Sequence, residues 1–562
     1  MRFFRLLYSA LLVLAIVGCN SSETDGDAKL ATLVLTGGTI LTLNTREPNP
    51  APTTVAIAGN RILYVGDEEG ARSFVGSETV VEDLQGAVII PGFCDSHGHL
   101  YGLGKALAEI DLVGTPSAAK AVDLVRAEAE ARPELEWLQG RGWDQNDWDG
   151  QKYPGRELLD AAVPDRPVML RRIDGHAAWV NSEALRLAGI GKDTPDPEGG
   201  AILRDKSGAP TGILVDNAAD LVRKIIPEVS DKETRRRVHL AVEHCLEYGI
   251  TGVHEAGVTW QRAQLYRRMV DQSELHLRLY GMYDDLAETL EHGLAAGPVS
   301  TPDGMLTIRA VKLYADGALG SRGALLLAGY SDQPGNFGLA VTPRDHLVEV
   351  AQRAGKAGFQ VCTHAIGDGG NRLMLDVYEQ VLGELNPTDP RWRIEHAQIL
   401  DPNDLPRFAK LGVIAAMQPT HCTSDMDWAG QRLGPDRLSG AYAWRTLLDS
   451  GARLSFGTDF PIEHVDPLAG LYSARTRTHP DGTPTGGWQP QEILDGRTAL
   501  ELYTAGGAYT SFRENELGRV APGFLADLTV LDGDPVACPP KELLDMKVKM
   551  TIVGGKVAYR AN

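Results

Sequence analysis

Cysteine is scarce in this chain of 562 residues. Its six copies, Cys19, Cys94, Cys245, Cys362, Cys422 and Cys538, stand far apart with no Cys-x-x-Cys pair among them. That spacing excludes a zinc knuckle or a disulfide framework, and the last five read as small buried hydrophobes. Basic residues are in deficit: 55 Lys and Arg stand against 75 Asp and Glu, a formal net charge of −20. So acidic a chain offers no basic face for nucleic acid, and its overall field disfavours a strongly anionic substrate. The apolar run Leu6 to Val17 is too short to span a bilayer comfortably. Glycine-rich pieces such as Gly367-Asp368-Gly369-Gly370 lack the order of a phosphate-binding loop. Charge is modest as well, at 23% against 43% apolar residues, which describes a globular protein rather than a disordered one.

What is present begins with a leader. Arg2 and Arg5 precede the apolar run, and Ile16-Val17-Gly18-Cys19 closes it. This ending resembles a bacterial lipoprotein cleavage box. The resemblance implies removal of residues 1–18 and lipid attached to Cys19, which would anchor the chain to a membrane of the bacterial cell envelope. An ordinary secretory leader is the alternative. Asn20 stands where an aspartate usually marks retention at the inner membrane, so the outer membrane is favoured in a Gram-negative cell. Residues 19–29 are polar and read as a tether.

Short β-type runs with glycine turns fill residues 30–87, and the same texture returns in 506–562. The two ends are expected to form one small β-sandwich. Between them, in 88–505, apolar runs alternate with helical patterns, which predicts an α/β chain with a TIM-like (β/α)8 barrel. Eight strands are expected: Val88-Asp95, Ile250-His254, Leu277-Met282, Thr307-Tyr314, Gln360-His364, Trp392-His396, Val413-Met417 and Arg453-Gly457. The first interval, about 112–246, is too long for one loop and helix. It is read as an insertion after barrel strand 1, rich in Trp and Gly and lying over the catalytic mouth.

Barrel active sites gather at the C-terminal strand ends. Strand one delivers His97 and His99, spaced so that both point to one side. Strand four carries Lys312 within an apolar run. Strand five ends in His364, strand six in His396 and strand eight in Asp459. A buried lysine needs a carboxylate partner or conversion to another form.

These residues, with Pro91-Gly92-Phe93-Cys94-Asp95-Ser96-His97-Gly98-His99, Lys312 through Arg322, His364-Ala365-Ile366-Gly367-Asp368, Arg393-Ile394-Glu395-His396-Ala397-Gln398 and the late Gly518 to Asp527 stretch, resemble the amidohydrolase superfamily. The resemblance is nearest to its YtcJ-like branch, amidohydrolase family 3, which includes N-substituted formamide deformylases. It runs from about Ala31 to Tyr559. Small departures are Cys94, Thr458 and Ile462. The resemblance implies that His97, His99, Lys312, His364, His396 and Asp459 are metal ligands, with Lys312 often carboxylated in the family.

Nitrogen and oxygen ligands of these kinds suit a divalent metal, zinc first, as one or two ions. Asp459 is then expected to take a proton from water and pass it to a leaving amine. The reaction read from this is hydrolysis of a carbon–nitrogen bond in a small amide-type substrate. The alternatives are a lactone or carbamate C–O bond in the same site, or an envelope lipoprotein that binds without turnover. Lys312 is either a carbamate bridging two ions or an ammonium paired with a carboxylate such as Asp316. On the substrate side stand His176, Trp179, His421 and Asp425. His176 either touches substrate or orders its loop, the other insertion tryptophans are read as packing, and His254 reads as a satisfied barrel histidine.

Overall fold

The computed structural model describes residues 30–561 apart from 45–49, 174–175, 198 and 228. The leader, the tether and the Cys19 lipidation expectation lie outside the described residues. Among the described residues no helix is long and apolar enough to cross a membrane.

The centre is a nearly closed barrel of eight parallel strands. They are β1 (Phe93–Gly98), β2 (Ile250–Val258), β3 (Arg278–Tyr283), β4 (Leu306–Tyr314), β5 (Gln360–Ala365), β6 (Arg393–His396), β7 (Ile414–Met417) and β8 (Arg453–Phe456). Each pairs in parallel with the next from β1 to β8. The period of two sorts their residues. Val311, Leu313, Val361, Ile394, Ala415 and Leu454 face the surrounding helices in one large buried cluster. Lys312, Cys362 and Arg393 share one register level and face inward; Tyr314, His364 and Glu395 share the next.

No ladder joins β8 to β1, yet the gap is bridged at both levels. Near the mouth the Asp459 N–H donates to the His97 carbonyl (2.7 Å) and the His99 N–H to that of Phe460 (2.8 Å). Lower down, the buried Asp95 carboxylate accepts from the Thr458 N–H (3.0 Å) and hydroxyl (2.7 Å). A barrel is thus held shut at this seam by a side chain where backbone pairing stops.

The structure corrects the expected first strand. Val88-Asp95 is not one strand, because the run divides at Gly92. Val88–Pro91 pairs with Thr39–Ile40 and with Leu528–Leu531, outside the barrel, and only Phe93–Gly98 enters it. A Cβ at Gly92 would lie 2.3 Å from the Thr251 side chain, so the chain passes β2 where only glycine fits. Val88, Ile89 and Ile90 are all buried, so no alternation marks the division.

Two sheets flank the barrel. One holds Leu33–Thr36, Thr54–Ala58, Arg61–Gly66 and Val80–Asp83; the other holds Thr39–Ile40, Val88–Pro91, Leu528–Leu531, Val548–Val553 and Lys556–Arg560. Leu35, Ile57, Ile89, Leu528 and Ile552 join in one buried cluster between them. Asp527 fastens this region to β3: its carboxylate takes a two-pronged ion pair from Arg278, with Nη2 at 3.0 Å, and the Gly554 N–H at 2.8 Å.

The expected insertion is a separate layer with its own buried clusters. Its six-stranded sheet runs from Ile110–Asp111 to Pro210–Asp216. It ends earlier than 246, however. The helix Asp231–Glu247 buries Val238, Ala241, Val242, Cys245 and Leu246 in the barrel's cluster, as the helix preceding β2.

Breaking the Arg278–Asp527 pair strands a buried charge, which costs about 3–5 kcal/mol. Asp527→Ala should therefore lower the denaturant midpoint sharply, whereas an apolar replacement of both partners should recover much of the loss. Equilibrium unfolding monitored by circular dichroism checks both.

Candidate active site

The C-terminal ends of the strands surround a cavity of about 400 Å³. It is lined by His97, His99, Lys312, Tyr314, His364, His396, His421, Asp425, Asp459 and Glu463, with Leu319, Gly320, Ile366, Gln398, Trp428 and Ile462 among the rest. All six residues expected as ligands are therefore together, as are His421 and Asp425.

Three imidazoles are held from behind. His97 Nδ1 bonds the Glu395 carboxylate, His99 Nδ1 the Ala256 carbonyl (2.9 Å), and His396 Nδ1 the Gln418 amide oxygen (2.8 Å). Each of these acceptors fixes the proton on Nδ1 and leaves Nε2 as the metal-binding edge. His99 Nε2 lies 3.2 Å and His97 Nε2 3.6 Å from Asp459 Oδ1. The ring centres of His97 and His396 are 4.8 Å apart, and those of His364 and His396 4.6 Å.

Two groups of ligand atoms fall within 4.8 Å of one another: His97, His99 and Asp459, and His396, His421 and Asp459. His97 Nε2, His364 Nε2 and Asp459 Oδ1 are buried without a hydrogen-bond partner. Buried polar atoms are ordinarily satisfied, so three orphans facing one space fit a cation bound among them.

The electrostatics agree. Burial pushes His97 and His396 below the usual imidazole range; burial and the Lys312 charge bring His364 to about 3. All three are thus neutral, the form that ligates. Burial opposes a charge on Asp459, yet the hydrogen bond from His421 and the neighbouring His99 imidazole hold it well below the carboxylate range.

Backbone geometry explains how neighbours on one strand serve one site. On β6, Arg393 and Glu395 face the interior, so His396 would face the helices. Its φ of +74° turns it back into the cavity. Asp459, beyond the end of β8, also stands at positive φ, +61°.

Two residues were quoted in the sequence motifs without a role. Arg393 and Glu395 are both wholly buried and paired, Nη2 to Oε2 at 2.8 Å. Arg393 also donates to the Ser96 carbonyl (2.6 Å) and to His254 Nδ1 (3.0 Å). Two opposite charges on alternate residues of one short barrel strand were the available signal. Burial opposes ionisation of Glu395, but Arg393 and His97 hold its carboxyl at about 2.

His421 was expected beside substrate. Its Nε2 lies 3.1 Å from Asp459 Oδ2 and its Nδ1 3.1 Å from Glu463 Oε1. Burial works against its charge, but these bonds lift its pKa to about 10. Glu463 carried no expectation.

Lys312 is 1% exposed, and its ammonium sits 3.6 Å from the centre of the Tyr314 ring. The expected Asp316 partner is otherwise engaged: its carboxylate accepts the N–H groups of Leu325, Ile366 and Gly367 at 2.8–2.9 Å. Among the described residues Lys312 forms no ion pair.

Among the described residues the insertion supplies none of the cavity's lining, contrary to the expectation that it lies over the mouth. Trp179 is 0% exposed, packed against Trp143 and Trp148 with its indole N–H on the Gly155 carbonyl. His176 has a side chain 75% exposed and bonds Asp216 at 2.8 Å within the insertion. Trp179 is corrected from the substrate side to the insertion's own core, and of the two readings of His176 its bond to Asp216 fits the ordering of its loop.

The departures from the family pattern are also accounted for. Thr458 supplies the hydroxyl that Asp95 accepts, Cys94 Sγ lies 3.5 Å from His254 Nε2, and Ile462 is 70% exposed at the mouth.

Residues 80–559 match the family model described as Amidohydrolase family. The putative amidohydrolase YtcJ of Bacillus subtilis is 35% identical over 93% of this chain and 98% of its own length. The N-substituted formamide deformylase of Arthrobacter pascens is 29% identical over 94% of this chain and 98% of its own. A crystal structure of an uncharacterized metal-dependent hydrolase from Pyrococcus furiosus superposes with a TM-score of 0.75 at 31% identity. The match covers 90% of this chain and 99% of that one.

Replacing a partner that orients a ligand typically lowers metal affinity about 10–100-fold. Glu395→Gln should show a loss of that size in competition with a chromogenic chelator. An unchanged affinity would separate Glu395 from the ligand set.

Proposed function

The chain belongs to the amidohydrolase family, and from that premise we propose that it is a metal-dependent hydrolase of carbon–nitrogen bonds other than peptide bonds. The substrate is a small amide, formamide or N-acyl compound. The observation that carries this reading is the set of inward-facing, unpartnered atoms His97 Nε2, His364 Nε2 and Asp459 Oδ1, with His97, His99 and His396 held from behind. The formamide deformylase among the relatives supports the choice of bond.

His97, His99 and Asp459 would hold one ion, and His364 and His396 a second, with zinc favoured by the imidazole and carboxylate donors. A divalent ion there supplies Lewis acidity, making water a stronger acid near neutral pH and drawing electron density from a carbonyl oxygen. Asp459 accepts the proton that water loses as its oxygen bonds the carbonyl carbon. Asp459 then delivers that proton to the nitrogen as the C–N bond breaks, releasing a carboxylate and an amine. His421, bonded to the other Asp459 oxygen, orients the carboxylate and keeps it anionic. Glu463 in turn fixes the His421 ring.

Lys312 is proposed, as the free amine, to bond CO₂ through its nitrogen and lose a proton to solvent, giving a carbamate that would add an anionic oxygen donor to the ligand set. The lack of an ion-pair partner and the engagement of Asp316 elsewhere support this over a paired ammonium. Metal analysis and turnover of a panel of amides, formamides and N-acyl amino acids test the function as a whole. Chelation should abolish turnover and zinc should restore it. Lys312→Ala should lose one metal equivalent and most activity, with partial rescue by short carboxylic acids. Unchanged metal content in Lys312→Ala would refute the carbamate.

The leader sequence supports a place in the bacterial cell envelope, lipid-anchored through Cys19 and favouring the outer membrane. Mass spectrometry of the mature N-terminus from the native host should find acyl chains on Cys19. An unmodified chain starting elsewhere would refute the anchor.

A further inference from the structure

The part of the cavity wall not occupied by candidate ligands has a one-sided chemistry. Asp425 Oδ2 accepts from Gln398 Nε2 (3.1 Å) and from the Tyr442 hydroxyl, while Oδ1 has no partner among the described residues. Glu463 Oε1 accepts from the Ser424 hydroxyl (2.6 Å) and lies against His421, and its Oε2 is likewise unpartnered. Both residues are half-buried and line the cavity beside the Trp428 indole.

Cations able to receive a carboxylate are spent. Among the described residues no arginine lines the cavity. Arg322 and Arg432, near Gly320 and Trp428, both bond Asp332, and Arg432 stacks over Trp428 at 5.6 Å. Lys312 rests on the Tyr314 ring, and His421 lies between Asp459 and Glu463. That the cavity is built for a ligand is shown independently by the buried, unpartnered Asp459 Oδ1 and His364 Nε2 at its base.

Resting on the amide-hydrolase reading above, we propose that the substrate carries a positively charged amine remote from the scissile bond. This ammonium group is received by Asp425 and Glu463 against the Trp428 indole. Two carboxylate oxygens and an aromatic face are what an alkylammonium needs on leaving water. A carboxylate tail at the same place would meet two like charges. The chain's net charge of −20 acts in the same sense at longer range, drawing cations toward the mouth at low ionic strength.

Three probes with one acetamide and tails of equal length decide it: N-acetylputrescine (ammonium), N-pentylacetamide (neutral) and N-acetyl-δ-aminovalerate (carboxylate). Their binding to the zinc-loaded full chain is measured by calorimetry, and acetate release separately. The ammonium probe should bind at least ~30-fold more tightly than the carboxylate probe, with the neutral one between. Asp425→Asn should shrink that gap about tenfold, and Glu463→Gln should shrink it too. Equal binding of all three, tightest binding of the carboxylate, or an unchanged gap in both variants overturns the proposal. If the binding order holds while no acetate appears, the charge selectivity stands and the C–N hydrolase reading falls.

Discussion

Everything at the mouth of this barrel rests on one ion pair with no solvent around it. Arg393 and Glu395 are each 0% exposed, and an isolated charge in such surroundings would be prohibitive. The pair survives because each partner is also hydrogen-bonded elsewhere, which is the condition for a buried salt bridge to persist. Those further bonds run outward from β6. Arg393 reaches the Ser96 carbonyl on β1 and His254 on β2, and Glu395 reaches the His97 imidazole. The pair is thus the crosspiece of the barrel interior. It holds the strand at the open seam in register with the strand opposite, and the same oxygen that balances the guanidinium selects the tautomer of His97.

The site also stores conformational energy. His396 and Asp459 both stand in the left-handed region without being glycine, which costs of order 1–3 kcal/mol each. In return His396, which the pleat would send outward, is delivered to the cavity. Asp459 is restrained by its N–H bond to the His97 carbonyl, and His396 by its ring bond to Gln418. The strained residues are therefore the ones whose surroundings leave them least alternative.

Much of this was legible in the sequence. His97, His99, His364 and Asp459 stand at the ends of apolar runs, and the barrel rule converts that position into convergence. Lys312 betrays itself as a charge inside a strand. The division at Gly92 was hidden, because a strand buried on both faces shows no period. Glu395 was quoted but not assigned, since its role exists only once folding brings it beside His97, 298 positions earlier. His421 was expected to line the pocket, as it does, but its bond to Asp459 was hidden for a similar reason: it lies on the helix after β7, and only the packing of that helix places it on Asp459. Trp179 was misplaced because an insertion's point of attachment does not fix which way it leans, and His176 takes the loop-ordering role of its two readings. Their own sheet accounts for both.

The division at Gly92 bears on how the molecule is made. Val88–Pro91 leads directly into β1, yet one of its two partner strands is Leu528–Leu531, more than four hundred positions later. As the ribosome extends the polypeptide, the first barrel strand emerges with its upstream neighbour paired on one edge only, to Thr39–Ile40, until Leu528–Leu531 has been synthesised. Contacts spanning such sequence distances form late and fold slowly. The nascent chain therefore carries an apolar strand edge through most of its synthesis, an aggregation hazard that association with chaperones would relieve. The last residues added complete a surface begun by some of the first.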